Sequence, residues 1–207
     1  MRDRGRTRRG TATREKIVRA ATRLFTTDGY VTTTVGDIAA EAGVAVQTLY
    51  LAFGSKVAIL SAAHDVAIVG DDAPVPLLER DWVAQLAECP DAMAGWRHAV
   101  RHMWESTGRV APIYRAIHAA AADPAVAELV EELHRARGEF SKRLATLLLA
   151  LPGARSDTDA DRLGDVIYTV FSVDTHTMLV AERGWTAARW RDWVQATVAA
   201  ELVTDRS

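Results

Sequence analysis

The sequence has little that crosslinks a fold or places it in a membrane. Its 207 residues include one cysteine, Cys89. A single thiol cannot form an internal disulfide and suits a reducing compartment, so the fold must depend on its core. No apolar run approaches the ~20 residues of a membrane-spanning helix, and no apolar segment follows the basic N-terminus as in a secretory signal. We therefore predict a cytoplasmic protein with no membrane partner.

Motifs for catalysis and for cofactors are missing as well. The chain has no Gly-rich phosphate loop, no paired cysteines at metal-ligand spacing and no nucleophile elbow. His98 and His102, with Glu105 nearby, have a spacing that suits a metal. On a helical wheel, however, they share a polar face opposite an apolar one, which favours a solvated surface. We predict no enzyme activity, no cofactor and no metal site.

Helical periodicity runs through the whole chain, and no stretch alternates as a strand does. Apolar residues make up 49% of the sequence, enough for a substantial core. Asp123 and Pro124 mark one helix start, and Pro152 with Gly153 marks its end. We predict an all-α fold with a break over 70–76 and with helices near 14–28, 56–69, 77–88, 92–107, 112–122, 124–151, 160–182 and 187–203.

The stretch 34–56, TVGDIAAEAGVAVQTLYLAFGSK, reads as two short helices joined by a tight turn. Thr34 and Asp37 form a capping-box-like start for the first helix. Gly43 supplies the residue that tolerates a positive φ where that helix must stop. Leu49 and Phe53 lie four apart and anchor the second helix. A helix pair with a short, Gly-containing turn is the helix-turn-helix, whose second helix enters the DNA major groove.

This stretch, with TREKIVRAATRLFTTDGY before it, resembles the DNA-binding domain of the TetR (tetracycline-repressor-type) family of transcription regulators. The specific resemblance covers about residues 13–60. It implies an N-terminal three-helix DNA-binding module followed by a larger helical domain for effector binding and dimerisation. The predicted domains are a disordered Arg-rich arm (1–12), the helix-turn-helix domain (13–55) and the ligand-binding and dimerisation domain (56–207).

The second helix leaves several side chains for DNA. Gln47 can read adenine, Thr48 can bond a base edge or a phosphate, and Ala45 and Val46 can meet thymine methyl groups. By resemblance, Tyr50, Lys56 and Thr34 contact phosphates. The sequence departs from the family pattern at Ala45, which replaces a capping serine, and at Leu51 and Ala52, which replace a polar pair.

Charge is distributed unevenly along the chain. Residues 1–56 contain ten basic and five acidic side chains, a net of +5, whereas the remainder has 15 basic and 22 acidic ones, a net of −7. A basic module on an acidic body is expected when one end meets phosphate. The Arg-rich arm is either a solvated tail or a segment that reaches phosphates or the minor groove.

The resemblance also implies an effector pocket among the helices of the larger domain. Asp174 is predicted to lie on an apolar helix face, where its carboxylate would need a partner. For any single residue, core packing is the simpler interpretation. The candidate ligand-binding residues are Trp82, Met103, Trp104, Tyr114, His118, Phe140, Phe171, Asp174 and His176.

The sequence therefore predicts a homodimeric regulator that binds a palindromic operator in double-stranded DNA and is released by a small, largely apolar or aromatic effector. In the family, helices corresponding to those near 124–151 and 160–182 form the dimer contact. The alternative is a helical small-molecule-binding or interaction protein whose helix-turn-helix is vestigial.

Overall fold

The computed structural model describes residues 3–70 and 79–204, and within these ranges the chain is helical without a named strand. The predicted break over 70–76 and the helix start at 77 fall largely outside the described residues. The α-helices are α1 (Asp3–Thr27), α2 (Val35–Ala42), α3 (Val46–Phe53), α4 (Lys56–Val69), α5 (Asp81–Ala87), α6 (Ala92–Ala119), α7 (Pro124–Leu149), α8 (Ala160–Val170), α9 (Val173–His176) and α10 (Ala187–Leu202). A π-helical segment, Thr177–Glu182, follows α9 directly. The all-α prediction is confirmed.

Three predicted helix boundaries differ from the structure. Helix α1 begins at Asp3 rather than at Arg14, since arginine favours helix and lets α1 extend beyond its packed part. The helices predicted at 92–107 and 112–122 are one helix, α6, with Pro112 inside it. No residue able to cap a new helix immediately precedes Pro112, so the proline interrupts one backbone bond instead of starting a helix.

The third difference is a break in the helix predicted over 160–182. Helix α8 ends at Val170, and Ser172 begins α9 by accepting a hydrogen bond from the Thr175 amide at 3.1 Å. A serine that caps an amide offers the backbone an alternative to continuing the helix. The wider π-helical turn then follows.

The chain divides into two compact units. The first contains Met1–Asp72 and Arg109–Glu131. Within it, α1 packs on α2 and α4, and α3 packs on α2 and α4. The Arg109 guanidinium donates to the carbonyls of Ala67 and Ile68, at 3.2 and 3.3 Å, at the end of α4. These carbonyls lack helical partners, so Arg109 satisfies the C-terminus of α4. Buried apolar side chains of this unit include Ile17, Ala21, Phe25, Ile38, Leu49, Ile59, Leu60, Ile113 and Ile117.

The second unit contains Ala73–Gly108 and Glu132–Ser207. Trp96 is fully buried, and its indole donates to the Gln195 carbonyl at 3.1 Å. Gly164 of α8 lies so close to α7 that an added Cβ would be 3.0 Å from the Lys142 Cα. The core of this unit includes Trp82, Leu86, Trp96, Val100, Leu144, Leu148, Leu163, Ile167, Trp190, Val194 and Val198.

By contacts, α4 groups with the first unit, so the predicted boundary at 55/56 does not coincide with the division between the units. In the described part of the chain, no single helix is long and apolar enough to cross a membrane. Helices α3 and α4 reach the length and apolar character of a membrane-spanning helix only when they are taken together, and a bend of 68° separates them.

Candidate DNA-binding surface and effector cavity

The start of α2 is a reciprocal capping box. The Thr34 side chain accepts from the Asp37 amide at 3.1 Å, and the Asp37 carboxylate accepts from the Thr34 amide at 2.8 Å. The Thr34 hydroxyl and amide stabilise the charged carboxylate and lower the pKa of Asp37. The predicted local start of α2 is confirmed.

The turn between α2 and α3 depends on Gly43, which has φ 66° and ψ 39°. This is the left-handed region, where a side chain is strained. The Val44 amide then donates to the Ala39 carbonyl at 3.0 Å, which fixes the direction in which the chain enters α3. At the α3 start, Ala45 supplies no side-chain cap, as the sequence predicts.

Helix α3 presents one face to the unit and the other to solvent. Leu49 is buried, and the Arg14 guanidinium lies over the ring of Phe53 at 4.2 Å. The opposite face is formed by residues four positions apart along the helix. One of them, Leu51, is 82% exposed. The structure thus brings together in α3 the predicted reader Gln47 with Val46 and Tyr50; Ala45 beside them is also exposed and Thr48 is half-buried.

Lys56 is engaged within the protein. Its ammonium donates to the carbonyls of Tyr30 and Thr33, each at 3.0 Å, and lies 4.0 Å from the Tyr30 ring centroid. These contacts hold the loop between α1 and α2 against the start of α4. A phosphate contact by Lys56, as the resemblance implies, must therefore share or exchange these partners.

Other cations near the helix-turn-helix are also partnered. Arg23 forms an ion pair with Glu41 at 2.7 Å, and the Arg14 guanidinium donates to the Ala52 carbonyl at 3.4 Å. Positive charge for phosphates must come partly from elsewhere, and exposed Lys16 and Arg19 in α1 are available to supply it.

The nine predicted ligand-binding residues are distributed over both units. Tyr114 and His118 pair within the first unit, with ring centroids 4.1 Å apart. In the second unit, Trp82 packs near Phe140 with centroids 6.5 Å apart, and Met103 packs against the core. The third group, Trp104, Phe171 and His176, lies around a residue absent from the prediction, Trp190.

A cavity of about 270 Å³ lies beside this third group. Its lining has no Asp, Glu, Lys or Arg. Of the six lining residues, Trp104 and His176 were predicted to bind a ligand, whereas the other four were not. The apolar spacing of α10 marks Trp190 as a core residue, but only packing shows that it forms a cavity wall. The lining consists of Trp104, Thr107, Gly108, His176, Ala187 and Trp190.

The expectation that Asp174 lies on an apolar helix face is wrong. Because Ser172 restarts the helix, Asp174 falls in the first turn of α9 and is exposed. A carboxylate at a helix N-terminus is favoured by the helix dipole and by solvent. Its position therefore needs no ligand.

The two histidines four residues apart lie against Trp82. The His98 Nε2 is 2.8 Å from the Trp82 carbonyl, and the exposed His102 stacks on the Trp82 ring. Partial burial, reinforced by His98 and Arg101, lowers the pKa of His102. Among the residues that the structure describes, no group of three metal-ligating side chains is assembled.

A capped helix pair with a glycine turn and an exposed second helix defines a helix-turn-helix DNA-binding protein with an additional helical unit. Residues 17–63 match the model of the family described as bacterial regulatory proteins, tetR family. The chain therefore contains a DNA-binding domain of the tetR type, as the resemblance predicted.

Solved structures share the fold across nearly the whole chain. NalD of Pseudomonas aeruginosa, the secondary repressor of the MexAB-OprM multidrug efflux pump, is 17% identical with a TM-score of 0.64, covering 94% of this chain and 97% of NalD. SmeT, the repressor of the Stenotrophomonas maltophilia multidrug efflux pump SmeDEF, is 17% identical with a TM-score of 0.66, covering 93% and 91%.

A third structure, from Saccharomonospora viridis, is described as a transcriptional regulator in complex with choline. It is 20% identical with a TM-score of 0.63, covering 92% of this chain and 97% of that protein. Among curated protein sequences, none matches this chain. At these identities the structural likeness establishes the fold.

Proposed function

We propose that the protein is a cytoplasmic, homodimeric repressor that binds a palindromic operator and is released from it by a small, largely apolar or aromatic molecule. The observation that supports this most strongly is the exposed face of α3. That face stands on a helix-turn-helix with a complete capping box at α2 and a glycine turn, and it presents Gln47 between apolar side chains. A helix-turn-helix that no longer binds DNA would not require an exposed face of this kind.

Two-fold symmetry follows from the proposed dimer. We propose that α7 and the segment from α8 to the π-helical turn form the subunit contact, as in the family. Several apolar side chains of α7 are only half-buried in the single chain, which suits a further contact; they are Val130, Leu133, Phe140 and Leu147. A dimer of this kind places two α3 helices about 34–36 Å apart, or a larger multiple of a DNA turn. A monomer in sedimentation equilibrium at micromolar concentration would contradict this part.

Small-molecule release is supported by the cavity and by the relatives. The complex with choline belongs to the relative, and it illustrates that this fold accommodates a small molecule. The repressor function is likewise suggested by NalD and SmeT, whose descriptions name them as repressors.

The deciding experiment is selection of bound duplexes from randomised DNA, followed by gel shifts with the selected sequence. We expect inverted half-sites and binding that weakens with salt. Gln47→Ala should relax preference at one position per half-site by roughly 1–3 kcal/mol, since a bidentate amide reads adenine. A matched control is Gln85→Ala in the second unit, which should leave binding unchanged. If no sequence is enriched, the vestigial alternative is correct.

A further inference from the structure

Two residues that line the cavity beside Trp190 each carry a group without its ordinary partner, one in a side chain and one in the backbone, and together these groups define the chemistry of a ligand. We infer that it binds a small, uncharged, ring-containing molecule that offers a hydrogen-bond acceptor to the Trp190 indole and a hydrogen-bond donor to the Gly108 carbonyl. This inference rests on the proposed effector role of the cavity and names the class of effector.

The first group is the indole N–H of Trp190. The side chain is 0% exposed, and its Nε1 has no hydrogen-bond partner within the protein. Buried donors are nearly always paired, and an unpaired one costs free energy that a suitable acceptor recovers. Trp190 lines the cavity, so a ligand bound there lies beside the residue that carries this donor.

Three other aromatic rings lie around the Trp190 indole. Centroids of Trp104, Phe171 and His176 lie 5.5, 5.5 and 5.0 Å from that of Trp190. Because Nε1 is buried, an acceptor reaches it only if one of these rings moves. Ligand binding should therefore change the environment of Trp104 and Trp190.

The second group is the carbonyl of Gly108, which arises from the sequence of α6. In an α-helix this carbonyl accepts from the amide four residues later, and that residue is Pro112, which has no N–H. Gly108 is exposed and lines the cavity, and it has no side chain to cover the backbone. Its carbonyl therefore lacks its usual helical donor and belongs to a residue that lines the cavity.

The remaining lining sets the size and charge of the ligand. A cavity of about 150 Å³ admits benzene, so about 270 Å³ suits a substituted single ring. Two tryptophans and a histidine favour a flat ring by stacking. The lining offers no carboxylate for a cation, and the Arg191 guanidinium already lies 5.4 Å from the Trp104 ring centroid. An anion would lose its hydration without a lysine or arginine in the lining, and a cation would have only the ring faces to replace its hydration.

The test uses four benzene derivatives of similar size: ethylbenzene, acetophenone, benzamide and benzoate, with choline as a cationic probe. Binding to the full chain is measured by ligand-observed NMR titration. We expect acetophenone to bind roughly three- to tenfold more tightly than ethylbenzene, and benzamide to exceed acetophenone by a similar factor. Tighter binding of benzoate or choline than of benzamide would overturn the uncharged class.

Two variants test whether the preference for acetophenone depends on the Trp190 N–H and the preference for benzamide on the Gly108 carbonyl. Trp190→Phe keeps a ring but removes the N–H, so it should abolish the advantage of acetophenone over ethylbenzene. The control Trp193→Phe lies outside the lining and should preserve it. Pro112→Ala gives Gly108 its helical amide and should abolish the advantage of benzamide over acetophenone, with no loss of helix. If either advantage survives its variant, that contact is wrong.

These measurements distinguish failure of the ligand site from failure of the proposed repressor function. Probe preferences that follow the variants, combined with DNA binding that no probe alters, would support the ligand site and contradict release by ligand. Failure of all five probes to bind would overturn the site itself, while operator selection would still test the DNA-binding function.

Discussion

At the scale of single residues, two predicted phosphate contacts have different surroundings in the structure. Lys56 bonds two carbonyls and covers the Tyr30 ring, whereas Tyr50 is 53% exposed on α3. The resemblance gives both residues the same role as phosphate contacts. Because their surroundings differ, substitutions at the two residues should have different effects on stability and on DNA affinity.

We predict that Lys56→Met lowers both the free energy of unfolding and the affinity for DNA. Loss of charged hydrogen bonds and of the contact with the Tyr30 ring should cost about 1–3 kcal/mol of stability. Tyr50→Phe should lower affinity for all sequences alike, because phosphate contacts carry no sequence information, and should leave stability unchanged. Urea unfolding and gel shifts measure the two effects. A Lys56→Met protein of normal stability would show that the carbonyl contacts do not matter.

The capping box makes a second prediction at this scale. Thr34→Val should destabilise α2 by about 1 kcal/mol near neutral pH, because it removes the N-cap hydroxyl. In the folded protein the pKa of Asp37 lies below its ordinary value of 3.8, with hydrogen bonds from Thr34 as the cause. Its contribution to stability is thus complete above that value and is lost as the pH falls through the lower folded pKa.

The stability difference between the wild type and Thr34→Val should consequently shrink as the pH falls below about 4. Thermal unfolding of both proteins over a pH series measures it. Thr186→Val, at the N-cap of α10, is a control because no shifted carboxylate accompanies that cap. A Thr34→Val difference that stays constant down to low pH would mean that Asp37 is not coupled to Thr34.

At the scale of elements, α3 has an unusual composition for a helix that reads DNA. Its sequence, VQTLYLAF, contains no ionised side chain, and Val46 and Leu51 are exposed at 41% and 82%. Apolar side chains distinguish thymine by its C5-methyl group, whereas guanine is most often read by Arg or Lys. The exposed face of α3 therefore suits base pairs that contain adenine and thymine.

We predict that the selected half-site is rich in A·T pairs and that replacing its thymines by deoxyuracil weakens binding. Uracil lacks only the methyl group, so each contacted position should cost roughly fourfold in affinity. Val46→Ala should remove the sensitivity at one position. Deoxyuracil placed outside the half-sites serves as the control. Equal affinity for the thymine and uracil operators would exclude methyl reading by α3.

At the scale of the whole molecule, we propose α6 as the element through which a ligand influences DNA binding. Trp104, Thr107 and Gly108 line the cavity, and Arg109, the next residue of the same helix, bonds the end of α4. Helix α4 begins at Lys56, beside the DNA-binding module. A ligand shifts DNA affinity only if it binds the two conformations with different free energies.

We predict reciprocal coupling of about 1–3 kcal/mol between operator and effector. Calorimetric titrations of effector with and without operator should differ by the same factor as operator titrations with and without effector. Arg109→Ala should reduce this factor while preserving binding of each ligand alone, and exposed Arg97→Ala of the same helix is the control. Equal effector affinity with and without operator would rule out ligand-controlled release.

The sequence by itself determined the parts of this protein that depend on local physics. The caps at Thr34 and Ser55 and the positive φ of Gly43 follow from side chains within a few residues of each backbone group. The all-α character and the position of the helix-turn-helix follow from the same kind of information. For this reason the position of α3 and the burial of Leu49 on its inner face were predictable from the sequence.

Only the tertiary structure decided the features that depend on distant partners. The Lys56 ammonium meets carbonyls more than 20 positions earlier in the chain, and Trp190 forms a cavity wall with residues from α6 and from the segment after α8. Asp174 turned outward because Ser172 broke a helix whose periodicity looked continuous. Spacing along one helix cannot reveal which side chains from distant helices line a common cavity, so the cavity beside Trp190 could be found only in the packed structure.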